Sequence, residues 1–210
     1  MYDLGPRFTE TSVEPGTNLL LRGPPLTGKR QLAMEILAAG AATTEGTVVV
    51  STRDSAERIR TDYGTLFDEM ATNAIGIVDA VTQHRGHAVE ADDYTKYVSS
   101  PNDMTGLGVK FAEFVQSYYV EGRVERMRVF LDSLTTLLLY TNLQTVFQFM
   151  HVFTSRVENA DALGLYTIES TVHDEETLDT LTRLFDGTIT VDAETATLSG
   201  TTFEDRTIDL

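Results

Sequence analysis

Gly23-Pro24-Pro25-Leu26-Thr27-Gly28-Lys29-Arg30 is the stretch on which the reading of this chain turns. Just before it, Asn18-Leu19-Leu20-Leu21-Arg22 has the continuous apolar character of a strand buried on both faces. Just after it, Leu32, Ala33, Ile36 and Leu37 recur at helical spacing, which predicts a helix over residues 29–42. Strand, glycine turn and helix form the context of a phosphate-binding loop. The stretch matches G-x-x-x-x-G-K-[ST] at every defined position but the last. Gly23 and Gly28 let backbone amides turn inward around phosphate oxygens. The helix start adds its positive end, and Lys29 brings a point charge to the outer phosphates. All of residues 23–30 are therefore expected to contact a ligand. The plainer alternative is a Gly/Pro turn ahead of an ordinary helix.

The last position departs from the pattern. The motif's Ser or Thr gives an oxygen to Mg²⁺, and Arg30 has no lone pair to give and repels a cation. Thr27 carries a hydroxyl, but on the far side of Gly28 and Lys29. The pattern thus puts a bound Mg²⁺ in doubt. A second segment, Arg128-Val129-Phe130-Leu131-Asp132-Ser133, reads as an apolar strand ending in an aspartate. In a nucleotide site of this class such an aspartate holds Mg²⁺ through water, which makes Asp132 the candidate metal residue. The competing role is an N-cap for the next helix, which Ser133 or Thr135 could fill equally well.

Elsewhere the chain alternates in the same way. Strands are expected at residues 47–51, 74–80 and 164–169, and helices at 56–66, 136–158 and 175–185, with an amphipathic helix through Leu107, Phe111, Phe114, Val115 and Tyr118. Residues 81–105 are polar and read as a long surface excursion. Residues 188–192 and 197–209 read as terminal strands or a hairpin. His84 and His87, near Glu90, Asp92 and Asp93, read as part of a solvated loop rather than a metal site. The expected fold class is α/β: one domain over residues 1–210, a mostly parallel sheet with helices on both faces, and antiparallel strands at the C-terminus. Ligands of such sheets sit at the carboxyl ends of the strands.

Of the 210 residues, 41 % are hydrophobic, enough for a packed core, and cysteine is absent. That absence removes disulfides, thiolate metal sites and thiol nucleophiles. No apolar run reaches the ~18 residues a membrane span needs. No secretory pattern opens the chain, so a cytoplasmic setting without membrane contact is expected. The net charge is −16, and Lys29, Lys96 and Lys110 are the only lysines. Acidic residues are spread along the chain instead of forming a tail, which predicts a surface suited to concentrated salt. The same field argues against autonomous nucleic-acid binding.

Residues 23–30, 48–59 and 129–138 together resemble the RecA superfamily, most closely the KaiC-like and recombinase-paralogue P-loop ATPases of halophilic archaea. Phe130-Leu131-Asp132-Ser133-Leu134-Thr135-Thr136-Leu137 is very similar to that group's second motif. The resemblance implies a RecA-type core that binds ATP or ADP at the switch point of the sheet. It implies a partner too, either further copies of the chain or a heteromeric protein. The family's catalytic glutamate lies at the end of the second strand, where Arg53 and Asp54 stand here. Arg53 cannot accept a proton from water; Asp54 could, but it is shorter and could instead cap the next helix. Asp54 is thus the one catalytic candidate. Arg30 could fill the metal's place by pairing with Asp132, or it could contact phosphates directly. The expectation is a degenerate nucleotide-binding protein, regulatory or scaffolding, with weak or absent hydrolysis. The alternatives are an active ATPase and a ligand-free interaction module.

Overall fold

In a computed structural model that describes residues 1–40, 45–68, 75–120, 122, 124–200 and 203–210, the chain opens with a small antiparallel ribbon, β1 (Tyr2–Asp3) and β2 (Ser12–Val13). There follow β3 (Asn18–Gly23), α1 (Lys29–Ala38), β4 (Glu45–Ser51), α2 (Ala56–Asp68), β5 (Ile75–Asp79) and β6 (Thr95–Tyr97). Next come α3 (Met104–Val115), β7 (Arg126–Asp132), α4 (Leu134–Tyr140), α5 (Leu143–Asn159) and β8 (Leu163–Glu169). The chain ends with α6 (Glu175–Thr182), β9 (Gly187–Val191), β10 (Thr195–Gly200) and β11 (Arg206–Asp209).

Among the described residues the main sheet has nine strands in the order β11-β10-β9-β3-β8-β7-β4-β5-β6. The seven from β9 to β6 are parallel, and β10 and β11 run antiparallel to their neighbours. This is the expected α/β class. The apolar strand runs have a direct cause: successive side chains face opposite sides of the sheet, and both sides are covered. Leu19, Leu21, Val49 and Phe130 pack under α1, α2 and the N-terminal ribbon. Leu20, Val48, Val50, Val129 and Leu131 pack under α3, α4, α5 and α6. No helix among the described residues is long and apolar enough to cross a membrane.

Several expectations need correction. The single helix over residues 136–158 is two helices. Thr141 and Asn142 are extended between α4 and α5, and the Asn142 side chain accepts a 3.0 Å hydrogen bond from Thr145 N, restarting the helix. The apolar periodicity runs across the break because both helices face the same core. The polar stretch 81–105 contains β6, whose residues pair with Ile77, Val78 and Asp79 of β5. That strand owes its existence to the sheet edge rather than to its own pattern. The expected terminal strands are present: β9 and β10 pair antiparallel as a hairpin, β11 adds antiparallel to β10, and β9 also pairs parallel with β3. The last helix stops at Thr182, three residues early. Ala41 and Ala42, the expected end of the first helix, and Ala74, the expected start of a strand, lie outside the described residues.

Candidate functional site

The loop between β3 and α1 lies at the carboxyl ends of the parallel strands. Gly23 closes β3 where a Cβ would stand 1.9 Å from Val191 O, so any side chain there collides with backbone. Gly28, the N-cap of α1, has φ 83°, a left-handed conformation that favours glycine. Nothing lies within 4 Å of a Cβ placed on Gly28, so its face of the loop is open. Leu26 also has positive φ and holds its side chain almost wholly in solvent. No side chain caps α1, and its first turn carries Lys29 and Arg30 with no acid. Two cations beside a positive helix end are an unfavourable arrangement unless an anion joins them.

The buried Lys29 ammonium turns back into the loop. Its Nζ donates to Pro24 O at 2.5 Å and to Thr27 Oγ1 at 3.4 Å, while Thr27 Oγ1 donates to Pro24 O at 3.0 Å. Pro25, between them, is exposed. Burial pushes the Lys29 amine below its ordinary value, opposed by the nearby Glu169 carboxylate.

Arg30 reaches two carboxylates from different strand ends. Its Nη1 lies 2.7 Å from Asp54 Oδ2, and its Nε lies 2.7 Å from Asp132 Oδ2. The second contact is an ion pair without hydrogen-bond alignment, since Arg30 Nε and Nη2 and Asp132 Oδ2 are all buried without a hydrogen-bond partner. The guanidinium also stands 5.1 Å from the centre of the Tyr63 ring. Asp132 is 1 % exposed, and its Oδ1 accepts from Thr167 Oγ1 at 2.9 Å. Burial raises the Asp132 carboxyl above the usual carboxylate range, against the pull of Arg30 and Thr167. Ser133 takes the capping task, accepting from Thr136 N, which leaves Asp132 facing the cleft. Asp54 does not cap α2 either. Ser55 Oγ accepts from Arg58 N, and Asp79 Oδ2 accepts from Ala56 N.

These groups border a cleft of about 270 Å³ lined by the 26–31 segment, Arg53, Tyr63, Asp132, Ser133, Thr167 and Glu169. The fold therefore brings Lys29, Arg30, Asp54 and Asp132 together. Thr167, Glu169 and Tyr63 went unnoticed in the sequence. Thr167 and Glu169 alternate at the end of β8, so one face of a strand end beside β3 was the available signal. Tyr63 carried none, being one aromatic on an amphipathic helix. Further out, Thr135 Oγ1 lies 3.1 Å from His173 Nε2 and accepts from Glu169 N at 2.9 Å, and burial lowers the His173 imidazole. Asp174 caps α6. Among the described residues no three His, Cys, Asp or Glu side chains gather where they could hold a metal ion. Beside Oδ2 of Asp132, the expected metal residue, stands the Arg30 guanidinium.

Two solved structures are similar over nearly the whole chain. The crystal structure of a KaiC-like protein from the hyperthermophilic archaeon Pyrococcus horikoshii OT3 has a TM-score of 0.62 at 14 % identity, covering 93 % of this chain and 85 % of that one. An uncharacterized protein from Pyrococcus horikoshii, solved in complex with an unknown peptide, has a TM-score of 0.66 at 13 % identity, covering 95 % of this chain and 94 % of that one. The fold is the RecA-like α/β fold of KaiC-like proteins. No curated protein is similar enough in sequence to count as a relative. A family model does match residues 16–191, which runs from just before β3 to the last residue of β9 and takes in every element that builds the cleft. On that match the chain belongs to DUF7504, a family of unknown function.

Proposed function

We propose that this cleft binds ATP or ADP, weakly and without a divalent cation, and does not turn it over efficiently. The observation that carries the reading is the clamp of Arg30, 2.7 Å from both Asp54 and Asp132. A guanidinium there occupies the place beside Asp132 that Mg²⁺ would take. The residues present do not fit the metal, because the buried Asp132 carboxylate is already ion-paired. Asp54, the sole acid at the end of the second strand, is neutralised by the same group and makes a poor proton acceptor. The nucleotide fits better. The uncapped start of α1, the open face at Gly28 and the Lys29 ammonium form a ready anion site. The reading is therefore a degenerate member of the KaiC-like group with a regulatory or scaffolding role, acting as an oligomer or with a heteromeric protein partner. The net charge of −16 supports a setting in concentrated salt.

Calorimetric titration with ATP and ADP in high salt, with and without Mg²⁺, tests the proposal. The expected result is binding that Mg²⁺ does not strengthen, weakened by Lys29→Ala. Mg²⁺-dependent turnover of ~1 s⁻¹ or faster, lost in Lys29→Ala, overturns it in favour of a working ATPase. Absence of binding favours the ligand-free interaction module.

A further inference from the structure

Among the charged side chains lining the cleft, Arg53 and Glu169 take no part in the clamp of Arg30. Arg53 follows β4, and Glu169 is the last residue of β8. Arg53 Nη1 lies 3.9 Å from Glu169 Oε1, an ion pair too long to be a hydrogen bond. Arg53 is half exposed, while Glu169 is mostly buried. Among the described residues no hydrogen bond holds the Glu169 carboxylate. Both groups act electrostatically on Lys29, in opposite directions. The Glu169 carboxylate, paired only loosely with Arg53, thus lines the same cleft as Lys29, the uncapped helix start and Arg30, whose buried Nη2 has no hydrogen-bond partner. It holds an anion's place in an anion site.

We propose that Arg53 is a direct ligand for the outer phosphate of a nucleoside di- or triphosphate, and that Glu169 is an internal competitor which the phosphate displaces from Arg53. This deepens the nucleotide reading above and rests on it. A phosphate carries more charge than a carboxylate and three strong acceptor oxygens, and a guanidinium can meet two of them at once. The proposal entails selection. Ligands with an outer phosphate gain the contact, and a monophosphate held at the loop does not reach it.

The test is calorimetry with ATP and AMP as probes, in concentrated KCl with EDTA present. Glu169→Gln is expected to tighten ATP binding about tenfold and Arg53→Gln to weaken it about tenfold, with AMP nearly unaffected by either. Both side chains line the cleft, and thermal melts of the variants check that the fold is kept. Glu125→Gln, the same charge change just ahead of β7 at the opposite end of the strands, is expected to leave ATP binding unchanged. If the wild type binds ATP and the Arg53 and Glu169 variants both stay within about twofold of it, the role of Arg53 is overturned and the nucleotide reading stands. A gain in Glu125→Gln equal to that in Glu169→Gln overturns it as well, since bulk charge then explains the effect. If neither the wild type nor Glu169→Gln binds ATP, both readings fall.

Discussion

At position 30 a guanidinium is shared between Asp54 and Asp132, and the consequence for Asp132 is measurable. Its carboxyl is raised by burial, so the folded chain keeps that proton to higher pH than the unfolded chain does. Ionising it therefore costs stability as pH climbs past the unfolded value, and Arg30 offsets part of that cost. Arg30→Met removes the offset and raises the carboxyl further. The variant is expected to lose about 2–4 kcal/mol near pH 8, with the gap to the wild type narrowing as pH falls toward about 5. Urea midpoints at the two pH values check this; an equal gap at both would mean that Arg30 supports packing rather than charge. That Arg30 is wrong for Mg²⁺ was legible in the sequence, because the argument needs only the residue type. Which of its two expected partners it takes was not, because that depends on where three strand ends meet.

Among the elements, the break between α4 and α5 was the part of the helical layer that periodicity concealed. Apolar spacing reports which side faces the core, and Leu137, Val146 and Met150 face it in both helices. A side-chain cap breaks a helix without disturbing that spacing. Asn142 accepts hydrogen bonds from Thr145 N at 3.0 Å and Thr145 Oγ1 at 3.1 Å. Asn142→Ala is expected to cost about 1 kcal/mol, and Asn142→Asp to be nearly neutral, by urea denaturation. Equal losses in the two variants would show that the cap adds little to the stability of α5. The strands were easier to read. Leu19–Leu21, Val48–Val50 and Val129–Leu131 are apolar at every position, as parallel strands covered on both faces require. β6 lacked that signature because a neighbour's backbone induces it.

At the scale of the molecule, a net charge of −16 makes self-repulsion a standing cost of compactness. Raising KCl from about 0.1 M to about 2 M shortens the screening length to a few ångströms and is expected to raise Tm by at least ~4 °C, about 1 kcal/mol. A melting scan across that range checks it, and a flat or falling Tm would show that the acidic surface is not limiting stability.

The local pieces were readable from the residues alone: a strand, a glycine loop and a helix start at residues 18–37, and an aspartate-tipped apolar strand at 128–132. Each rests on neighbours a few residues apart, and periodicity and turn chemistry are properties of such windows. It took the folded sheet to set Arg30 between Asp54 and Asp132, with Tyr63, Thr167 and Glu169 lining the same cleft. The reason is the strand order β3-β8-β7-β4, which gathers the ends of strands far apart in the chain along one rim of the sheet.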